Sequence, residues 1–452
     1  MNAKRIEIKK INKIISISMI LLLGLCVMIS SASAAGGSGT TGDPYVIENA
    51  TELQNINNNL SAYYILGNNI NLTGVTWTPI GNSSNPFLGD IDGKGYTISD
   101  LVIGSSSGSN YGLFGAAGSG AQINNFIMDD CSITGVNSSV GMLVGNIVMS
   151  SSVHDTMLIE DITIQNCDMN VSLSGDLRGS FVIGYINSYA DVEYNHVVIN
   201  NCDFLSASGN IVGGLVGHVT TNSTVSFSDC QVNGSMISAS GYYVGGLVGY
   251  VTTNSTVLVD SDCRVTQSKI TTASGNIVGG LVGDVNTNST ITISGMGNVM
   301  VENCEILSAS GYFVGGLVGY VNTNSTISVT GVGLNENVIS ASGHSVGGLV
   351  GSVTTNSTLN MISCDVENSV IKGSDSIGGL VGRVYGATVL TGSTVNIDDC
   401  TIHWCTIVGS SSYVAGGIGK VENSIYSVDN TIVSASCIKG TGYVAGILGG
   451  II

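Results

Sequence analysis

The chain has 452 residues, 63 glycines, only 10% charged residues and a formal net charge of −18. Such a surface repels nucleic acid and anionic lipid, and beyond the first 13 residues no basic cluster is present to hold phosphates. The composition is too apolar for a disordered chain and too Gly-rich for a helical domain.

The first predicted element is a targeting segment over residues 1–34. Lys4, Arg5, Lys9, Lys10 and Lys13 form a basic region, an apolar run spans Ile14–Ile29, and Ala32-Ser33-Ala34 offers small residues for cleavage. Export is therefore expected, with the mature chain starting near Ala35. That chain would keep 8 basic and 30 acidic residues, so 8 − 30 = −22. An uncleaved anchor is the alternative, but the run is interrupted by Ser16, Ser18 and Gly24.

Residues 35–115 read as an amino-terminal cap with the first coils. Thr51-Glu52-Leu53-Gln54 fits a capping box, and Leu53, Ile56 and Leu60 share one face of a short helix. Such a helix would cover the bare end of a repeat stack. Asp90-Ile91-Asp92-Gly93 echoes a calcium loop but lacks its glutamate twelve positions on, so a tight turn is expected.

Residues 116–452 are dominated by repetition. V-G-G-L-V-G occurs at Val212–Gly217, Val244–Gly249, Val278–Gly283, Val314–Gly319 and Val346–Gly351, with weaker copies on either side. Its last glycine recurs after 32, 34, 36 and 32 residues. A Ser/Thr-Ala-Ser-Gly turn precedes each copy and T/N-T-N-S-T follows it, with β-rich runs between. Each period holds three strand candidates and no helix able to cover a sheet. Coiling one repeat per turn closes such strands, stacking like on like at about 4.8 Å. A propeller blade needs about 40 residues, more than these periods supply. The expected fold is thus all-β: a right-handed parallel β-helix of about ten or eleven coils with a short-helix cap.

Cys230, Cys263, Cys364 and Cys400 share the pattern C-x-[VI]-x-x-[SC]-x-I, and Val332 fills that position in one coil. Replacement by valine points to a buried thiol column rather than a metal site or essential disulfides, with Cys400–Cys405 the exception most open to bridging.

Gly42-Asp43-Pro44-Tyr45-Val46-Ile47, Trp77-Thr78-Pro79-Ile80-Gly81, Phe87–Leu101 and the Gly214-Leu215-Val216-Gly217 element with its siblings resemble GLUG-motif surface proteins. The resemblance covers roughly residues 40–450. It implies a pectin-lyase-like right-handed β-helix of the kind found in bacterial and archaeal adhesin-like proteins. GLUG repeats also accompany secreted immunoglobulin-cleaving metallopeptidases, but H-E-x-x-H is absent from this chain and that activity is not carried over.

Few residues in the sequence are placed to carry chemistry. His218 follows V-G-G-L-V-G at a position that varies among Tyr250, Asp284, Tyr320, Ser352 and Arg383, which reads as an outward, solvated side chain. His344 lies in a turn, and His154, His196 and His403 have no ligand at metal spacing. A glycoside hydrolase needs converging carboxylates. Asp129-Asp130, Glu160-Asp161 and Asp398-Asp399 are the candidates, but Asp130 and Asp399 directly precede cysteines, a position also filled by Asp229, Asp262, Asn166, Asn201 and Asn303, and so read as a repeated turn element. No catalytic residue, metal site or cofactor is assigned.

Two outward features remain. N-x-S/T sequons recur at Asn222, Asn254, Asn288, Asn324 and Asn356, which would form a glycan stripe on one edge; Asn and Ser also simply make good turns. The same Thr/Asn/Ser edge can alternatively present a flat array to carbohydrate or ice. Tyr242, Phe313 and Tyr413 are read as one repeat position and as carbohydrate-contact candidates. The functional expectation is a secreted, non-enzymatic, adhesin-like surface repeat protein. A carbohydrate-active β-helix, binding polysaccharide or cleaving it as lyase or hydrolase, is the alternative. Expected partners are surface glycans or envelope components, with self-association through an uncapped carboxyl-terminal coil.

Overall fold

The computed structural model describes residues 36–104, 110–118, 120–136, 138–149, 156–171, 178–206, 211–260, 262–274, 276–295, 300–388, 391–410 and 413–452. The targeting segment and His154 lie outside them, as does the sequon at Asn137. Among the described residues no helix is long and apolar enough to cross a membrane.

One coil serves for all. It runs through β1 (Thr224–Ser228), β2 (Gln231–Asn233), β3 (Met236–Ala239), β4 (Tyr243–Gly245) and β5 (Val248–Val251). Each strand pairs in parallel with its counterpart one repeat later, as in Thr224↔Thr256, Gln231↔Arg264, Met236↔Lys269, Tyr243↔Ile277 and Val248↔Val282. The β1 and β2 positions share a 22-stranded sheet, and the other three positions each build an 11-stranded one. The chain is the expected parallel β-solenoid, with five strands in each central coil where the pattern predicts three; in three earlier coils the first two positions merge into one strand, Gln122–Asp129, Met157–Gln165 and Asp191–Asn200. The extra ones, such as β2, are three residues long and too short to show an alternation.

Alternation places Val225, Phe227, Val232, Ile237 and Val244 inward, where they are fully buried in one continuous core. Each such side chain contributes about 1.5–3 kcal/mol of burial, and the contribution repeats at every rung. Corners are turned by left-handed residues. The sequon asparagines Asn222, Asn254, Asn288, Asn324 and Asn356 have φ between 57° and 59°, a region that Asn tolerates through local hydrogen bonding.

Polar columns close the corners. Ser255 Oγ accepts the Ser223 N–H at 3.3 Å and donates to Thr220 O at 2.7 Å; Ser289 and Ser325 repeat the pattern. The cysteines follow the same logic in two columns rather than one. Cys230 donates its N–H to Cys263 Sγ at 3.4 Å in one. In the other, Cys131, Cys167, Cys202, Ser235 and Ser268 hand N–H groups down the stack. Cys405 belongs to the second, where its N–H meets Ser436 Oγ, and all ten described cysteines, Cys400 and Cys405 included, are free. The Asp or Asn that precedes seven of the ten described cysteines is a left-handed turn residue, as expected, but it too occupies two columns. Asp130, Asn166 and Asn201 stack in one and Asp399 over Asn430 in the other.

The cap is continuous with the coils. Tyr45–Ile47 pairs with Tyr63–Leu66, that strand with Asp90–Asp92, and that with Gln122–Asp129, so parallel pairing crosses residue 115. The helix α1 (Ala50–Gln54) starts two residues earlier than the capping-box pattern indicates: Asn49 is its N-cap, and the Glu52 carboxylate accepts the Glu48 N–H at 2.7 Å. Leu53, Ile56 and Leu60 are buried in the common core, as their shared face predicts. At the far end, Ile425, Ile432, Tyr443 and Ile451 are exposed on the last rung.

Candidate functional site

The V-G-G-L-V-G motif is a tight arch between β4 and β5. A Cβ at Gly246 would lie 2.0 Å from Gly280 O, and one at Gly249 would lie 2.7 Å from both Gly217 O and Val212 O. No other residue type fits where backbones approach this closely. The arch turns the outer faces of the two sheets toward each other, and their side chains meet in a cleft outside the apolar core.

One wall of the cleft is the column Ile211, Tyr243, Ile277, Phe313, Ser345, Ser376 and Tyr413. The other is Tyr185, His218, Tyr250, Asp284, Tyr320, Ser352, Arg383 and Lys420. Across the cleft Tyr243 stacks on Tyr250 at 4.6 Å, Phe313 stacks on Tyr320 at 4.5 Å, and Lys420 Nζ lies 4.9 Å from the Tyr413 ring centre.

His218 is therefore not solvated: it is 6% exposed, lies between Tyr185 and Tyr250, and has neither ring nitrogen paired. Burial, with the nearby Arg178 charge, holds its pKa down to about 3. Asp284 is 4% exposed, one of its oxygens has no partner, and burial pushes its carboxyl up to about 8. Ser345 Oγ, Ser352 Oγ and Arg383 Nε are also buried without partners. Among the described residues, every buried side-chain polar atom left unpaired, except the Tyr194 hydroxyl, lies in this cleft. Sequence variability at the His218 position signals an outward column correctly; that the cleft covers it depends on how closely the glycines let the sheets approach.

The carbohydrate-contact candidates divide. Phe313 and Tyr413 share a column, but the aromatic that joins them from the Tyr242 coil is Tyr243, not Tyr242. The Tyr242-Tyr243 and Tyr312-Phe313 pairs allow an offset of one, and a slip of one residue changes the face. The Phe313 ring is covered by Tyr320, and the Tyr413 ring by Tyr443 at 5.3 Å and by Lys420. Tyr242 instead heads the column Tyr242, Asn276, Tyr312, His344, Asp375 beside the cleft, each of the first four accepting through its carbonyl a backbone N–H from the next rung. Tyr242 and Tyr312 are 51% and 46% exposed.

The sequon asparagines stand at exposed or half-exposed corner tips in one column, with Asn356 Nδ2 donating to Asn324 Oδ1 at 2.8 Å. Their threonines also align, Thr224, Thr256, Thr290 and Thr326 lying in register on the outer face.

The carboxylate pairs stay apart on different coils. Asp129 accepts from Asn166, Glu160 from Asn195, Asp398 from Asn430, and Asp399 from Ser363. Asp161 lies 2.7 Å from His196 Nδ1, and His403 Nδ1 lies 2.5 Å from Ser434 Oγ. Asp92 forms a tight turn with Lys94, which has a left-handed φ of 52°. Among the described residues no three His, Cys, Asp or Glu side chains are grouped as metal ligands.

No protein-family model matches the chain. A "Putative Gly-rich membrane protein" from Evansella cellulosilytica is 31% identical over 204 residues, 43% of this chain and 22% of that protein. "Halomucin" from Haloquadratum walsbyi is 32% identical over 165 residues, 34% of this chain and 2% of that protein. The chain thus spans under a quarter of the length of either relative. A crystal structure of a "putative immunoglobulin A1 protease" from Bacteroides ovatus aligns with a TM-score of 0.41 and 21% identity, covering 60% of this chain and 77% of that one.

Proposed function

We propose that the chain is an exported, adhesin-like surface protein of the GLUG type, whose solenoid holds a long polar flank away from the cell and catalyses no reaction. The observation that carries this reading is the parallel register from Tyr45 to Ile451, which devotes the described residues almost entirely to an extended repeat. The relatives named as a membrane protein and as a halomucin support a surface location. The segment over residues 1–34 directs export in this reading. Rungs about 4.8 Å apart leave no room for glycans on neighbouring coils, so sequon use is confined to alternate members of Asn222, Asn254, Asn288, Asn324 and Asn356.

Labelling of intact and permeabilised cells with an antibody to the repeats tests the location. Signal on intact cells supports it, and signal only after permeabilisation overturns it. A polysaccharide panel assayed for reducing ends and unsaturated products tests the absence of catalysis, which product above a heat-killed control would refute. A second reading, polysaccharide binding without turnover, is favoured by the exposure of Tyr242 and Tyr312 in one column.

A further inference from the structure

Tyr242 and Tyr312 stand two rungs apart with Asn276 between them. The Tyr242 ring lies 6.2 Å from that of Tyr243 at 44°, and the Tyr312 ring lies 6.3 Å from that of Phe313 at 44°. Tyr243 and Phe313 are themselves in register, so the two outer tyrosine rings are close to translates of each other along the stack. Their orientation follows from the next rung, where the His344 ring stacks on Tyr312 at 5.3 Å and 10°. Rings in this column therefore face along the stack. The Asn276 rung interrupts it, leaving a slot between two tyrosine faces about 9.6 Å apart. A third ring placed there would lie about 4.8 Å from each, inside the 4.5–7 Å range of favourable ring pairs. The slot has the width of one ring, and the residue at its rung is Asn276.

We propose that this slot binds one neutral pyranose ring of an extended polysaccharide, which deepens and rests on the carbohydrate-binding reading. The tyrosine faces carry the negative end of the ring quadrupole and suit the polarised C–H faces of a sugar. The Asn276 amide offers two donors and an acceptor, which match ring hydroxyls and would be wasted on a plain aryl group. The acidic chain disfavours polyanions. A pyranose held between these faces lies across the stack, with Tyr312 already covered on its far side by His344, so flanking sugars leave the slot sideways over the outer surface.

The test is isothermal titration of the full-length chain with chitohexaose, cellohexaose and polygalacturonate. At least one neutral hexaose should bind and polygalacturonate should not. Tyr242→Ala and Tyr312→Ala should each weaken binding about three- to tenfold, the value of one ring contact. Asn276→Tyr should abolish it by filling the slot, and it adds a side chain this column already carries, so it stays informative if an alanine variant fails to fold. Trp404→Ala, at an exposed aromatic on another corner, should change nothing. Failure of both neutral probes overturns the slot and the carbohydrate reading together. Binding that survives Asn276→Tyr, or falls equally in Trp404→Ala, overturns the slot and leaves the reading standing. Preference for polygalacturonate or for free indole overturns the assignment to neutral sugar.

Discussion

Two polar columns run the length of the central coils, one buried and the other buried or half-buried. In the corner column Ser223, Ser255, Ser289, Ser325 and Ser357 repeat without variation, and each hydroxyl links successive coils. In the cleft column the same stretch reads His218, Tyr250, Asp284, Tyr320 and Ser352, and three of the five have buried atoms with no partner. Uniform chemistry marks the place where every polar group is spent on the fold. Variable chemistry marks the place where hydrogen-bonding capacity is left over. Variation along a solenoid column therefore separates surface that can recognise something from surface that only holds the coil together.

The largest effect is expected at the arch from which the cleft column starts. Gly280→Ala would put a methyl 1.9 Å from Gly316 O, and guanidinium denaturation should show a loss of about 3 kcal/mol. Gly333→Ala, where nothing lies within 4 Å, should be nearly neutral. Next in size, Ser289→Ala strips a partner from both Ser255 N–H and Thr252 O; a loss of about 2 kcal/mol is expected.

Asp284 sharpens the contrast through pH. Its folded pKa, about 8, is raised above the unfolded value, so the folded state holds the proton more tightly. Its contribution is complete below about pH 4, declines as pH rises, and is gone above about pH 8. Asp284→Asn should therefore be more stable than the parent by about 1 kcal/mol or more at pH 9, and this advantage should shrink toward pH 4. A constant difference across that range would show that the carboxyl does not titrate there. The smallest effect is expected of Ser352→Ala. It removes a hydroxyl that bonds to nothing, and stability should shift by no more than about 0.5 kcal/mol. If it costs as much as Ser289→Ala, the two columns are not different in kind.

The fold was legible because V-G-G-L-V-G fixes the period and its glycines admit only close backbone contact. Strand number was less so, since a strand such as Gln231–Asn233 turns before periodicity accumulates. The cysteines misled in one respect. An Asp-Cys or Asn-Cys pair occurs at two successive corners, so one dipeptide feeds two columns. The site was the hardest to read. Tyr242 and Phe313 look equivalent when Tyr242-Tyr243 is set beside Tyr312-Phe313, and only the ladder register separates the covered ring from the exposed one.

Because each coil touches only its neighbours, the stack is also a mechanical reserve. A coil of 32 to 36 residues adds about 4.8 Å to the height of the folded stack but about 110 Å to the length of a stretched chain. A tether built this way gives under load one coil at a time, from the end that is pulled, while the coils behind it keep their shape and whatever they hold.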